Sequence, residues 1–219
     1  MSQTSFPEST TLVINESPVV TQKQEQILQG AMRVFLRSGY AGTSMDRVSA
    51  EAGVSKQTIY SNFQDKKGLF KALIERMTIG NFQSVFRDSE FKDEPSVFLR
   101  ELTTIFFTKL VDNPDYVPLL RLILAESENF PELAKLYTHT VIQQGKKLLI
   151  KYFADHPELN VDDPQAIAQI FFGALVSHVI VQEMLYGQEM IPLSRDRLVN
   201  SLMSLVLARQ KNKELCTDS

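Results

Sequence analysis

The chain is nearly devoid of cysteine, with Cys216 the single example among 219 residues. That excludes an internal disulfide framework and any cysteine-built metal knuckle, and it fits a reducing compartment, so a cytoplasmic location is expected. Histidine is almost as scarce: His139, His156 and His178 stand too far apart for metal-ligand spacing, and no metal or other cofactor is expected. Long hydrophobic runs are missing too. The densest, IFFGALVSHVIV, holds about a dozen residues broken by serine and histidine, short of the roughly 20 that a bilayer-spanning helix needs, so no membrane crossing is expected. The opening MSQTSFPESTTLVINESPVV has neither a basic n-region nor a long apolar core and does not read as a secretory signal. Catalytic signatures are also lacking: there is no G-x-S-x-G, H-E-x-x-H, G-x-G-x-x-G or Walker loop. Ser89-Glu90-Phe91-Lys92 matches S-x-x-K without its companion motifs, so an enzyme is not expected.

What is present is a chain 43% hydrophobic, long enough to bury about 70% of its unfolded surface. A net charge of -3 hides an asymmetry, because residues 21–76 hold nine Lys and Arg against five acids, or +4, leaving -7 for the rest. A basic N-terminal quarter on an acidic body fits contact with phosphate in that quarter alone; chance scatter on solvated helix faces is the alternative.

Punctuation divides the chain. Residues 1–20, rich in Ser, Thr, Glu and Pro with no Lys or Arg, read as a disordered leader. Thr21 and Gln24 form a possible capping box ahead of Ile27, Ala31, Val34 and Phe35, an amphipathic helix closed by Gly39. Pro95, Pro114, Pro131 and Pro164 each stand where a helix starts, since proline at the first helical position loses no hydrogen bond. Helices are expected near 95–111, 114–127, 131–154, 164–186 and 194–210, with residues 211–219 a flexible tail. Sustained period-two alternation is absent, so the fold is expected to be all-α, with about nine helices.

The stretch AGVSKQTIYSNF places a glycine and a capping serine between two short apolar patterns. Thr43 and Ser44 can cap a helix burying Met45, Val48 and Ala52, Gly53 supplies a sharp reversal, and Ser55 caps a second helix burying Ile59 and Phe63. Such a helix-turn-helix puts its second helix in the major groove, which accounts for the polar Lys56, Gln57, Thr58, Tyr60 and Ser61; an ordinary αα-corner is the bland alternative. The next helix opens Asp65-Lys66-Lys67-Gly68, two cations where the helix dipole disfavours them, and a DNA phosphate beside that terminus would compensate.

The run from Thr43 through Ser55, with Ile59-Tyr60-Ser61-Asn62-Phe63, Lys66 and Leu69-Phe70, resembles the DNA-binding region of the TetR/AcrR family of bacterial transcriptional regulators over residues 22–70. Ser49, Asn62 and Lys67 depart from the usual pattern, the last two near the expected DNA surface, where they bear on operator preference. Residues 121–134, with Asp163-Pro164 and Phe171-Phe172-Gly173, are similar to the C-terminal domain of the AefR-like branch. The resemblance implies a DNA-binding domain at 21–68, a helical ligand-binding and dimerisation domain at 69–210, a double-stranded DNA operator, and release of DNA by a small-molecule effector. Carried over from the motif, Ser44, Ser55, Tyr60 and Lys66 would contact phosphates, and Gln57 and Thr58 base edges; Thr43, Lys56, Ser61 and Asn62 complete the DNA-binding set. Tyr60 has the alternative of a partly buried ring filling the corner.

The last two helices read as a homodimer interface: Leu198, Leu202, Leu205 and Val206 recur at helical spacing, and Ala166, Gly173, Ala174 and Ser177 permit close approach. Alternatively, both helices complete one subunit's core. Phe106, Phe107, Leu110, Leu124, Phe171, Phe172 and Leu175 are candidates to line an effector cavity, or plain core; the embedded polar residues Arg121, His178 and Gln182 could orient a ligand, with a satisfied core or interface histidine the favoured alternative for His178. A helical lipid or metabolite carrier would use the same interior without specific DNA binding.

Overall fold

The computed structural model describes residues 21–88 and 94–214, with side chains over 21–78 and 94–208. The leader 1–20, the Ser89 to Lys92 motif and Cys216 lie outside the described residues. Among those described there is no strand. Helices α1 (Gln22–Gly42), α2 (Met45–Ala52), α3 (Lys56–Phe63) and α4 (Lys66–Asp88) are followed by α5 (Pro95–Ile105), α6 (Tyr116–Glu126), α7 (Pro131–Tyr137), α8 (Gln143–Asp155), α9 (Pro164–His178) and α10 (Arg195–Glu214). The last turns of α5 and α9 widen into π-helical segments, Phe106–Val111 and Val179–Met184, and a third, Thr138–Ile142, fuses α7 and α8. The described residues therefore form nine continuous helical rods, as the periodicity anticipated.

The caps explain the boundaries. Thr21 accepts from the Gln24 amide at 3.2 Å and Gln24 Oε1 accepts from the Thr21 amide at 2.9 Å, a reciprocal box. Gly39, at φ 72°, breaks α1, and the element then runs one turn further to Gly42. Asp163 Oδ1 accepts from the amides of Gln165 and Ala166, fixing the start of α9 behind Pro164. Pro114 differs from expectation: it sits in a turn where Asn113 O accepts from the Tyr116 amide, and α6 begins at Tyr116.

α1 packs along α2, α4 and α6, so it touches both the short helices and the larger body. α4 buries Leu69, Phe70, Leu73, Ile74 and Met77 and joins the two. In the body α8 lies along α9, while α5, α9 and the 3₁₀ turn Pro157–Leu159 meet α10. With its π segment α9 spans Pro164–Met184, within the expected 164–186, and it is long and apolar enough by composition to cross a membrane, which the dozen-residue apolar run alone did not imply. Its Ala168, Phe171, Leu175, His178, Val179, Gln182 and Met184 are buried in the body, while the opposite face stays open.

Candidate DNA-reading surface and effector core

α2 and α3 are set by backbone chemistry. Ser44 Oγ accepts from the Arg47 amide at 3.3 Å and Ser55 Oγ from the Thr58 amide at 3.1 Å, capping the two helices in turn. Gly53 closes α2 at φ 63°, ψ 37°, a left-handed conformation that a Cβ would strain. Ser49 donates to Val54 O at 2.6 Å and Gln26 Nε2 to Ala52 O at 2.7 Å, so the turn is held from within and from α1. Glu51 receives Arg33 at 2.7 Å and Arg37 at 3.0 Å, and those two hydrogen bonds hold its carboxyl below the usual glutamate range.

Ile59 and Phe63 are buried, which turns Lys56, Gln57, Tyr60, Ser61 and Asn62 outward and leaves Thr58 half-buried. The Thr58 hydroxyl lies 2.7 Å from Ser55 Oγ, and its carbonyl accepts from Ser61 Oγ and Asn62 Nδ2. Lys56 pairs with Asp46 at 2.9 Å, and this hydrogen bond raises its pKa. Gln57, exposed, makes no side-chain hydrogen bond among the described residues, and Tyr60 keeps 43% of its surface open.

Two members of the expected DNA-contacting set lie elsewhere. Thr43 is buried, its hydroxyl donating to Gly39 O at 2.7 Å. Lys66 Nζ, expected at a phosphate, donates to Tyr40 O at 2.9 Å and Thr43 O at 3.1 Å and lies 4.4 Å from the centre of the Tyr40 ring. The cation at the start of α4 is thus compensated by carbonyls at the end of α1, where the dipole favours it. Asp65 caps α4 through Gly68, whose amide donates to Oδ1 at 2.6 Å. A Cβ at Gly68 would stand 2.2 Å from Phe63 O, so α3 and α4 approach this closely only with glycine there.

The same kinked end of α1, residues 39–43, is gripped from the body. Glu126, at the end of α6, accepts from the Tyr40 amide at 2.9 Å, and the Phe130 ring meets Tyr40 edge-on at 5.1 Å. Burial, followed by the carboxylates of Glu132 and Asp65, pushes the Tyr40 phenol up. Nothing in the sequence spacing pointed to Glu126, which lies 86 residues from the amide that it holds.

The expected effector residues divide. Phe106, Phe172 and Leu175 line one crevice with Leu102, Leu148 and Leu149, beside Gly145; its cavity volume of about 10 Å³ is close to the minimum for a single water. Phe107, Leu110 and Phe171 are buried in the adjoining core. Leu124 is 50% exposed and lines no interior space, because α6 turns its Tyr116, Leu119, Leu120 and Ile123 inward instead. Arg121 is committed to Glu183 O and Met184 O, and Gln182 bonds Ile191 O at 3.2 Å and the Leu193 amide at 3.3 Å, so both close the end of the α9 rod and are not free to orient a ligand. His178 is 6% exposed, packs edge-on against Phe107 at 5.5 Å, and has no partner for Nδ1; burial pushes its pKa down. The hydroxyls of Tyr116 and Tyr137 lie 2.7 Å apart inside the body, and burial pushes Tyr137 up to about 12.

On the last two helices the apolar stripe splits. Leu202, Met203 and Val206 fill the subunit's own core, whereas Leu205 is 68% exposed and Ile170 of α9 59% exposed. Ala166 and Ser177 are open on the same face as Ile170. Among the described residues no group of three His, Cys, Asp or Glu converges as a metal site.

A capped, outward-facing second helix held on a larger all-helical body is a helix-turn-helix arrangement joined to a helical domain. The chain belongs to the TetR family of bacterial regulatory proteins: that family's model matches residues 27–73, and the model of the AefR-like transcriptional repressor C-terminal domain matches residues 98–210. The transcriptional regulator AcrR of Shigella flexneri is 28% identical over 130 residues, 58% of this chain and 57% of that protein. The regulator YvkB of Bacillus subtilis is 24% identical over 187 residues, 83% of this chain and 93% of that one. The chain spans about half the length of the first curated relatives that it matches. The solved structure of NalD, secondary repressor of the MexAB-OprM multidrug efflux pump in Pseudomonas aeruginosa, shares the fold with a TM-score of 0.66 at 19% identity, covering 86% of this chain and 96% of that one.

Proposed function

We propose that the protein is a cytoplasmic repressor that binds a pseudo-palindromic operator as a homodimer and releases it when a small, largely apolar effector enters the body. Residues 21–68 serve as the DNA-binding domain and residues 69–210 as the effector and dimerisation domain. The observation that carries this reading is the solvent-facing side of α3, where Gln57 stands exposed without an internal partner while Ile59 and Phe63 anchor the helix from behind. Glutamine in the major groove pairs bidentately with adenine, so Gln57 is the specificity contact, and Ser44, Ser55, Lys56 and Tyr60 meet the backbone. The exposed Ile170 and Leu205, with small residues around Ile170, support a twofold contact through α9 and α10. Two symmetric copies then require half-sites about one helical turn apart, or a multiple.

The test is a gel shift on DNA from the protein's own upstream region against a scrambled duplex, across a salt series. Gln57→Ala should cost about 1–3 kcal/mol of discrimination at one base position of each half-site while leaving the salt slope intact. Equal affinity of the wild-type protein for operator and scrambled DNA would defeat the repressor reading.

A further inference from the structure

The polar side chains embedded in the apolar body are almost all spent on the fold itself. Arg121 holds two backbone carbonyls, Gln182 holds the chain ahead of α10, Tyr116 and Tyr137 face each other, and Thr103 donates to Arg100 O. His156 Nδ1 is 2.8 Å from Tyr152 O. Among the described residues His178 is an exception, with a buried ring nitrogen, Nδ1, that has no partner. A buried polar atom left unpaired is destabilising, and such an atom calls for an explanation.

Its position supplies one. On α9 the buried face runs Phe171, Leu175, His178, and Leu175 is a wall of the crevice. Phe106, another wall, is followed in sequence by Phe107, the ring against which His178 packs. His178 therefore stands about one helical turn along α9 from Leu175, just beyond the crevice's apolar lining. Both flanking helices are π-helical there, α5 from Phe106 and α9 from Val179, and π turns are departures from regular geometry found frequently at functional sites. The charges that face this end are already matched: Arg195 lies 4.9 Å from the Phe107 ring centre and is bound by Asp112 at 2.7 Å and Glu183 at 3.0 Å. Among the described residues a charged ligand would find no free counter-charge beside Arg195, and it would lose its hydration.

We infer that the effector is an uncharged, mainly apolar molecule bearing one hydroxyl or amide group, and that His178 is the residue that selects it by hydrogen bonding to that group. The inference rests on the effector pocket proposed above and gives it a ligand class. Binding separates the walls of the crevice, lays the apolar part of the ligand against Phe106, Phe172 and Leu175, and satisfies the orphan nitrogen, so affinity comes from area and selectivity from one bond.

The probe is N-phenyl-1-naphthylamine, whose fluorescence rises in apolar pockets, titrated into the full chain and displaced by three ligands of one chain length: 1-decanol, decanoate and decylammonium at pH 7.5. Decanol should displace the probe at the lowest concentration. His178→Phe should weaken displacement by decanol roughly three- to tenfold, the loss of one net hydrogen bond, without weakening uptake of the probe. His178→Gln, which keeps a hydrogen-bonding group, should retain most of the decanol preference. Should His178→Phe fail to fold, the wild-type ligand series and His178→Gln decide the matter alone. Stronger displacement by either ion, or an unchanged decanol preference in His178→Phe, would overturn the selectivity while leaving the pocket intact. Absence of probe uptake by the wild-type chain would remove the pocket itself, and this inference with it.

Discussion

Replacing Lys66 by Met removes an ammonium and keeps most of the stem. In the structure Nζ makes two hydrogen bonds to carbonyls, Tyr40 O and Thr43 O, and sits over the Tyr40 ring. Charge-assisted hydrogen bonds contribute about 1.5–3 kcal/mol each where buried, and a cation over an aromatic face about 0.5–1 kcal/mol at an open site. Lys66 is half-buried, and Tyr40 O keeps a second donor in the Thr43 amide at 3.3 Å, so the sum must be discounted, to about 2–3 kcal/mol. For a chain of this size that lowers Tm by about 4–12 °C, readable by differential scanning calorimetry. The second readout is the dependence of DNA affinity on salt. A lysine at a phosphate contributes about one unit of slope per half-site, whatever the sequence, and loss of such a contact flattens the plot by that amount. Because Nζ is engaged by carbonyls, Lys66→Met should melt earlier yet bind DNA with an unchanged slope at a temperature where it is folded. An unaltered Tm together with a flattened slope would refute this reasoning and return Lys66 to the phosphate.

Three further outcomes are expected. Gln64 has φ 63° and ψ -58°, the middle of a γ-turn closed by the Asp65 amide on Phe63 O at 2.7 Å, so Gln64→Gly should raise stability by about 0.5–2 kcal/mol; a fall in Tm would show that the turn stores no strain. Glu51 has a folded pKa below its unfolded one, so its contribution is present above the unfolded glutamate pKa, about 4.3, and lost as pH falls from there through the depressed value. The Tm advantage of wild type over Glu51→Gln should accordingly be visible at pH 7 and shrink steadily as the pH is lowered below the ordinary glutamate range, and a constant difference would contradict the pairing. Ile170→Asp, at a site 59% exposed, should leave the subunit's stability within about 0.5 kcal/mol and turn a dimer into a monomer in sedimentation at micromolar concentration; a wild-type monomer would end the twofold model.

Much of this architecture was legible because its signals are local. The capping box at Thr21 and Gln24, the serines before α2 and α3, and the prolines at 95, 131 and 164 act within a turn of themselves, and the structure has them where the spacing put them. Pro114 misled by two residues, since proline also suits the turn that precedes a helix. Partners distant in sequence were out of reach. The carbonyls that take Lys66 come from 23 and 26 residues away, and the backbone of the α9 rod that takes Arg121 from 62 and 63. The helix dipole singled out Lys66, and apolar periodicity Arg121 and Gln182, as polar groups needing an explanation, but neither signal could distinguish a ligand or a phosphate from the chain's own backbone. Leu124 failed for a related reason: α6 is apolar on more than one side, and only packing selects the face turned inward.

The kinked end of α1 from Gly39 to Thr43 hangs between two supports, a carboxylate on α6 and an ammonium on α4. A suspension of this kind fixes orientation only while its two attachment points keep their spacing. If α6 and α4 shift together, α2 and α3 are carried along intact; if either shifts alone, one set of bonds must part and the segment swings about the other. The first kind of displacement re-aims the short helices at little cost, whereas the second sets them loose.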